Sequence, residues 1–364
     1  MNIKIQKILI INIFGIGDVL FTTPLIENLK SFNPNFSIGY LCNRRTESIL
    51  KRNPKIDNVF VYERDEFAAE AKKSKLSYWK KVNDLVRTIR AEQYDTTIDV
   101  SLNGFMGFLS WAAGIPQRIG LNYKNRNIFL NKKIDLKGYE ERHVVEYYLD
   151  LLRLLEIPVT RRELTLNVND EDESWADNFL KQHALKEKSL IGLVPGGGAS
   201  WGKEAIYKRW APENYAKLAD KIIEKFGGQI ILMGAVEEQD LCLKVAKSMR
   251  QPSISACGQT NITQFAALAH RCKVNIVNDG GPLHIAVAAK AKTVSIFGPV
   301  DEKVYGPYDP SSPKVKPAHT VVTKEFACRP CYRQFRRAQC EHLSCLTQIT
   351  VYDVLKNVEE VLTP

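Results

Sequence analysis

The sequence predicts two doubly wound α/β domains in tandem. Three observations predict this class. Short apolar runs alternate with amphipathic ones in two successive series, as in mostly parallel sheets covered by helices. A glycine-bearing turn follows a leading strand in each series. The chain has 364 residues, 45% of them hydrophobic, which exceeds one ordinary domain and suffices for two cores of roughly 150 to 180 residues each.

In the first series, residues 7–14 read as a buried strand, followed by a helix over 18–30. Strands are expected at 37–41, 58–61 and 96–100, with helical periodicity over 78–90 and 144–155. A polar stretch at 167–173 marks the boundary, placed near residue 170. The second series predicts strands at 189–194, 229–232, 273–278 and 293–297. It predicts helices at 212–225, 237–249, 262–269 and 282–289. No short fixed-period repeat is evident, which argues against a solenoid. Ligands of such paired domains are expected at the carboxyl ends of the strands, in a cleft between the domains.

Composition narrows the function classes. Charged residues make up 25%, with 21 glycines and 16 prolines, the profile of a soluble globular chain and not of a disordered one. No run approaches the roughly 18 apolar residues needed to cross a bilayer. The short apolar segment 8–14 lacks a following small-residue cleavage site, so a cytoplasmic protein is expected. The formal charge is +10, and residues 44–90 carry 13 basic against 7 acidic residues. Nucleotides, phosphorylated lipids or nucleic acid would suit that excess, and so would an ordinary solvated surface.

Three glycine-bearing turns carry the candidate chemistry. The first is Phe14-Gly15-Ile16-Gly17-Asp18. Gly15 and Gly17 fit a dinucleotide fingerprint, but Leu20 stands at the third glycine position and no acid ends the second strand. Arg44 and Arg45 stand there instead, which suits a 2′-phosphate and keeps an NADP-dependent oxidoreductase as an alternative. Asp18 reads either as a helix N-cap or as a carboxylate positioned to accept a proton from an incoming hydroxyl. The two roles are compatible. The second turn is Pro195-Gly196-Gly197-Gly198-Ala199-Ser200, followed by Lys203, Lys208 and Arg209 before Pro212. It is not a Walker loop, yet it far exceeds the usual connection of about 2 to 6 residues, and free glycine N–H groups with nearby lysines favour phosphate binding. The third is Asn278-Asp279-Gly280-Gly281-Pro282-Leu283-His284, where a bare helix N-terminus follows two glycines and His284 lies on the first turn.

Taken in this order, the three turns resemble glycosyltransferase family 9, the lipopolysaccharide heptosyltransferases. The matching stretches are Gly17-Asp18 with Thr23-Pro24, residues 195–212, residues 279–284, Phe297-Gly298-Pro299 and the cysteine-rich tail. The resemblance covers nearly the whole chain. It implies a GT-B architecture of two facing Rossmann-like domains. Residues 1–170 would bind the acceptor, 171–345 would bind the nucleotide sugar, and a last helix within 346–364 would pack back on the first domain. It also implies inverting, metal-independent transfer of a sugar from ADP-heptose to a phosphorylated lipopolysaccharide core, with no cofactor required for catalysis. Asp18 matches the proposed base. Gly198, Ser200 and Lys208 match donor-phosphate contacts, and Asp279, Gly280, Gly281 and His284 match the donor-binding turn. Glu238 matches the acid that holds the donor ribose. Gly17, Arg44 and Arg45 fall on the acceptor side. A peripheral contact with the inner face of the inner membrane follows from such an acceptor, and nucleic acid is not expected. Many members carry Ser or Thr where this chain has Gly280, so one phosphate hydrogen bond is missing or supplied by backbone. General base catalysis at Asp18 and charge stabilisation by Lys208 and the helix N-termini behind Gly198 and Gly281 would suffice for the chemistry.

Cys42, Cys242, Cys257 and Cys272 are scattered in apolar stretches and read as buried and inert. Cys328, Cys331, Cys340 and Cys345 crowd together, with His342 among them. A structural zinc, free or redox-labile thiols, and disulfides all remain open for this cluster. Arg329, Arg333, Arg336 and Arg337 lie among the cysteines, so a zinc-knuckle nucleic-acid module stands as a further, non-enzymatic alternative.

Overall fold

The structure is a computed structural model that describes residues 5–198, 202–310 and 317–363. It divides into two compact units, Met1–Arg162 and Glu163–Pro364. The expected boundary at residue 170 falls instead on the first residue of a helix, Asp170–Gln182. Its acid-rich opening reads as a polar linker, but Asn169 caps it by accepting a bond from Asp172 N at 3.0 Å. Ala176, Phe179 and Leu180 then form its buried face.

The first unit holds six strands: β1 Lys7–Ile11, β2 Ser37–Cys42, β3 Asn58–Val61, β4 Thr96–Asp99, β5 Gln117–Tyr123 and β6 Lys132–Leu136. All pairings are parallel, in the order β3-β2-β1-β4-β5-β6. Central β1 is buried on both faces, which is why it reads as the unbroken apolar run KILII. The predicted helix over 18–30 is two helices, Ile16–Phe21 and Thr23–Phe32. Pro24 lacks the N–H that would continue the first ladder. Thr23 Oγ1 donates to Leu20 O at 2.7 Å in its place, and Thr22 Oγ1 bonds Val19 O at 2.6 Å.

The second unit repeats the design with β7 Leu190–Val194, β8 Gln229–Leu232, β9 Ser253–Ser255, β10 Val274–Asn278, β11 Thr293–Ile296 and β12 His319–Val322. The order β12-β11-β10-β7-β8-β9 is again fully parallel and has the same topology. Strand order therefore reverses between β1 and β4 in one sheet and between β7 and β10 in the other, where such folds place their ligands.

The last helix, Val351–Leu362, corrects one expectation. It does not belong with the first domain. Val354, Leu355, Val358 and Val361 join Trp210, Tyr215 and Leu218 in the core of the second unit. Trp210 Nε1 donates to Ile349 O at 2.9 Å, fixing the approach to that helix. Its amphipathic pattern requires an apolar surface to cover but does not say which one.

Candidate functional site

In the second unit, Val277 of β10 lies beside Val194 of β7, so the two glycine turns leave the sheet together. Asn278 joins them. Its Nδ2 donates to Pro195 O at 2.8 Å and Gly196 O at 2.6 Å, while its Oδ1 accepts from Trp210 N at 3.1 Å. One buried amide thus ties three segments that are far apart in sequence.

Glu238 does similar work from the other side. Its Oε1 accepts from Gly197 N at 3.0 Å and Gly198 N at 3.1 Å, and its Oε2 accepts from Ala235 N at 3.0 Å. Arg209 lies 3.5 Å away. Glu238 was expected on the donor ribose, and the Gly198 N–H on phosphate; here they bond to each other and hold the loop's shape. Gly196 is glycine because a Cβ would stand 1.9 Å from the Glu238 carboxylate. Gly280 has an equally local reason, since a Cβ there would stand 2.0 Å from Gly197 O.

The predicted Lys208 and Asp279 form an ion pair at 2.8 Å with both side chains buried. They stand at the head of the helix Gly281–Ala288, where Gly280 is the N-cap and offers no side chain to the first-turn N–H groups. His284 is buried at the end of that turn. Gly198, Lys208, Asp279, Gly280, Gly281 and His284 are therefore brought into one assembly whose backbone dipole favours an anion. Ser200 lies outside the described residues.

In the first unit, Asp18 is not an N-cap. Gly15 caps the helix Ile16–Phe21, with Gly17 in its first turn, and Asp18 occupies the third position, half-buried. Asn12 sets this turn. It donates from Nδ2 to Asp18 O at 2.9 Å and accepts at Oδ1 from Phe14 N at 3.0 Å. Beneath it, burial and then neighbouring groups, including the negative charge of Asp18, push the Tyr148 hydroxyl well above its usual value. Burial chiefly, with Asp18 adding to it, does the same to Tyr139. Both stay protonated beside the carboxylate. Asp99, at the carboxyl end of β4, is buried and pushed up to about 6 by desolvation, which bonds from Ser101 N (2.8 Å) and Asn127 Nδ2 (3.0 Å) only partly offset.

Arg44 and Arg45 follow β2 at the same sheet edge. Asn43 ties their turn to the first one by donating to Ile13 O at 3.1 Å and to Phe14 O. Arg44 is exposed and pairs with Glu66 at 2.8 Å and Glu47 at 3.4 Å. Asn12 is not singled out by the motif reading, and Asn43, Asn278 and Arg209 stand inside its stretches without an assigned role. A lone asparagine at a strand end signals only a turn, and its cross-chain bonds exist only once the sheet has formed.

The cysteine segment is anchored to the second unit by Arg329. This side chain donates to Gly298 O at 2.6 Å and Val300 O at 3.0 Å and pairs with Glu302 at 2.6 Å. Arg337 packs over Tyr207 at 3.7 Å and pairs with Glu204 at 3.2 Å. Two of the arginines considered for nucleic acid are thus engaged internally. Cys328 is exposed and Cys345 buried, and Cys331 Sγ donates to Cys328 O at 3.1 Å. Burial, then the neighbouring thiols, pushes Cys331 up to about 11. Among the described residues, no group of three or more His, Cys, Asp or Glu is arranged to hold a metal ion.

Paired doubly wound sheets of this topology define the GT-B class of fold. Residues 82–340 match glycosyltransferase family 9 (heptosyltransferase), and the chain belongs to that family. It is 27% identical over 313 residues to lipooligosaccharide heptosyltransferase 2 of Haemophilus influenzae, covering 83% of this chain and 86% of that one. Among solved structures it resembles the family 9 glycosyltransferase of Veillonella parvula, with a TM-score of 0.81 and 23% identity, covering 100% and 98% of the two chains. It also resembles the Escherichia coli ADP-heptose LPS heptosyltransferase II, with a TM-score of 0.73 and 22% identity, covering 98% of each chain. The protein is a glycosyltransferase of the heptosyltransferase kind, which sets aside the oxidoreductase and non-enzyme alternatives.

Proposed function

We propose that the protein moves a heptose from ADP-heptose to a hydroxyl of a phosphorylated lipopolysaccharide core, with inversion and without a metal. The observation that carries this reading is the convergence of the Pro195–Gly198 turn, the Lys208–Asp279 pair and the bare N-terminus of the helix Gly281–Ala288 at one switch point. Such an assembly suits the diphosphate of a nucleotide sugar. Asp18 accepts the proton of the acceptor hydroxyl while that oxygen bonds the anomeric carbon. The bond from that carbon to the diphosphate breaks, and ADP leaves with the electron pair. Lys208, fixed by Asp279, and the N–H groups behind Gly281 meet the growing negative charge. Arg44, Arg45 and the turn at Gly17 belong to the acceptor side, where a phosphorylated glycan suits the local basic excess.

No helix among the described residues is long and apolar enough to cross a membrane. The proposed setting is the cytoplasm, with the acceptor's lipid held in the inner face of the inner membrane.

Calorimetric titration with ADP, UDP, GDP and NADPH tests the donor. Selective ADP binding is expected and leads to assays with ADP-heptose and a core oligosaccharide. Preference for UDP or GDP would replace the donor, and binding of NADPH alone would overturn the reading.

A further inference from the structure

The first unit carries an apolar surface that neither its core nor the proposed chemistry uses. The helix Lys75–Ala91 buries Val82, Val86 and Ile89, yet Leu76 is 81% exposed and Trp79 is 52% exposed. Beside it, Trp111 of the helix Gly104–Ala112 is 54% exposed, and Ile128 of the loop between β5 and β6 is 79% exposed. Aromatic contacts make these one face. The Phe108 ring lies 6.4 Å from Trp79, 5.9 Å from Trp111 and 5.6 Å from Phe129. Single exposed apolar residues are ordinary, whereas a contiguous face with two half-exposed tryptophans marks an interaction surface.

Charge identifies the partner. Residues 72–90 hold seven basic residues and one acid, Asp84. Lys73 and Lys81 are paired with Glu70 and Glu66, which leaves a basic excess carried by Lys72, Lys75, Lys80, Arg87 and Arg90. Residues 124–133 hold four basic residues with no acid. Protruding aliphatic tips, tryptophans and exposed basic neighbours such as Lys75 and Lys80 suit an interface between water and an anionic bilayer. There tryptophan settles at headgroup depth, and lysine stems reach past apolar surface to the phosphates. An acidic protein would match the charge but would leave the protruding Leu76 and Ile128 without an apolar counterpart.

We infer that the face built by Leu76, Trp79, Trp111 and Ile128 docks on an anionic lipid bilayer. This extends the acceptor proposed above, because Asp18 follows β1 at the same carboxyl edge from which the helix Gly104–Ala112 and the loop after β5 depart. Docking would bring that edge to a lipid-anchored glycan. Each basic residue near an anionic surface adds to the attraction, which falls with salt.

The test is co-sedimentation of the full chain with phosphatidylglycerol–phosphatidylethanolamine vesicles and with phosphatidylcholine vesicles. The protein is expected to bind the anionic vesicles only, and less as salt rises. Trp79→Ser with Trp111→Ser should weaken binding tenfold or more, and so should Lys72→Gln, Lys75→Gln and Lys80→Gln together. ADP binding should stay within twofold in both variants, showing that they are folded. Absence of vesicle binding, or binding equal in all three proteins, overturns the inference. So does concentration-dependent dimerisation without lipid that the tryptophan variant abolishes, since the face would then belong to a second copy. The nucleotide titration is read separately. Its failure with vesicle binding intact removes the proposed reaction and leaves the docking face.

Discussion

The two switch points share a topology and use it differently. In the second unit, the polar groups expected to meet the donor are tied to one another: Glu238 to the N–H groups of Gly197 and Gly198, Lys208 to Asp279, and Asn278 to the backbone on either side. In the first unit, the turn is set by Asn12, and Asp18 stands half-buried above protonated tyrosines. A phosphate site must keep its donors aligned before the anion arrives, and internal carboxylates do this at the cost of a buried ion pair. The proposed base Asp18 needs access to a hydroxyl, which its half-buried position leaves open. Substitutions in the second unit should therefore affect folding and donor binding together, whereas Asp18 should affect turnover alone.

The largest effect is expected at Lys208. Lys208→Met leaves Asp279 buried without its cation, which should cost about 3 to 5 kcal/mol in urea unfolding and abolish measurable ADP binding. A variant with unchanged stability and weakened ADP binding would show that the pair is not structural.

Asp99 sharpens the contrast through pH. Its carboxyl is raised from 3.8 to about 6 by burial, so the folded state holds the proton more tightly than the unfolded chain does. The stability this adds is complete below about pH 4 and is lost as pH rises through about 6, a change of about 3 kcal/mol. Buried His319, lowered to about 4 by desolvation, contributes the opposite slope over the same window, so the test is the difference between two proteins. The urea midpoint of the parent chain relative to Asp99→Asn should fall as pH rises from about 4 to about 6.

Gly280→Ser, which adds the hydroxyl that the family resemblance leads one to expect there, is expected to weaken ADP binding and to cost about 1 to 3 kcal/mol. Its Cβ would collide with Gly197 O, so no added phosphate hydrogen bond can form without moving that turn. Tighter ADP binding by calorimetry would refute this packing argument. Arg44→Gln should leave the urea midpoint essentially unchanged, because Arg44 is itself exposed and its pairs are surface ones. Its effect should appear as a several-fold rise in acceptor KM.

Much of this contrast is legible in the sequence. The glycine runs after apolar strands mark both turns of the second unit, and the continuous apolar runs of β1, β7 and β10 locate the sheet centres. Strands β5 and β6 are less visible, because edge residues such as Lys132 and Lys133 are exposed and break the apolar signal. The helix Gly104–Ala112 hides behind two glycines; Gly107 is required by Asn127, whose side chain would meet a Cβ at 2.0 Å. The reason for Gly280 lies in the Gly197 carbonyl, and the role of Glu238 lies in a loop that precedes it by 40 residues. Contacts of that kind depend on tertiary structure, which local pattern does not encode. For the same reason an amphipathic final helix could be foreseen, but not the core that it covers.

The most direct test is Asp18→Asn, assayed for ADP affinity by calorimetry and for single-turnover heptose transfer from ADP-heptose. Transfer should fall about 10²- to 10⁴-fold with ADP affinity unchanged within twofold. Loss of ADP binding together with transfer would mark Asp18 as part of the fold, and undiminished transfer would place the base elsewhere.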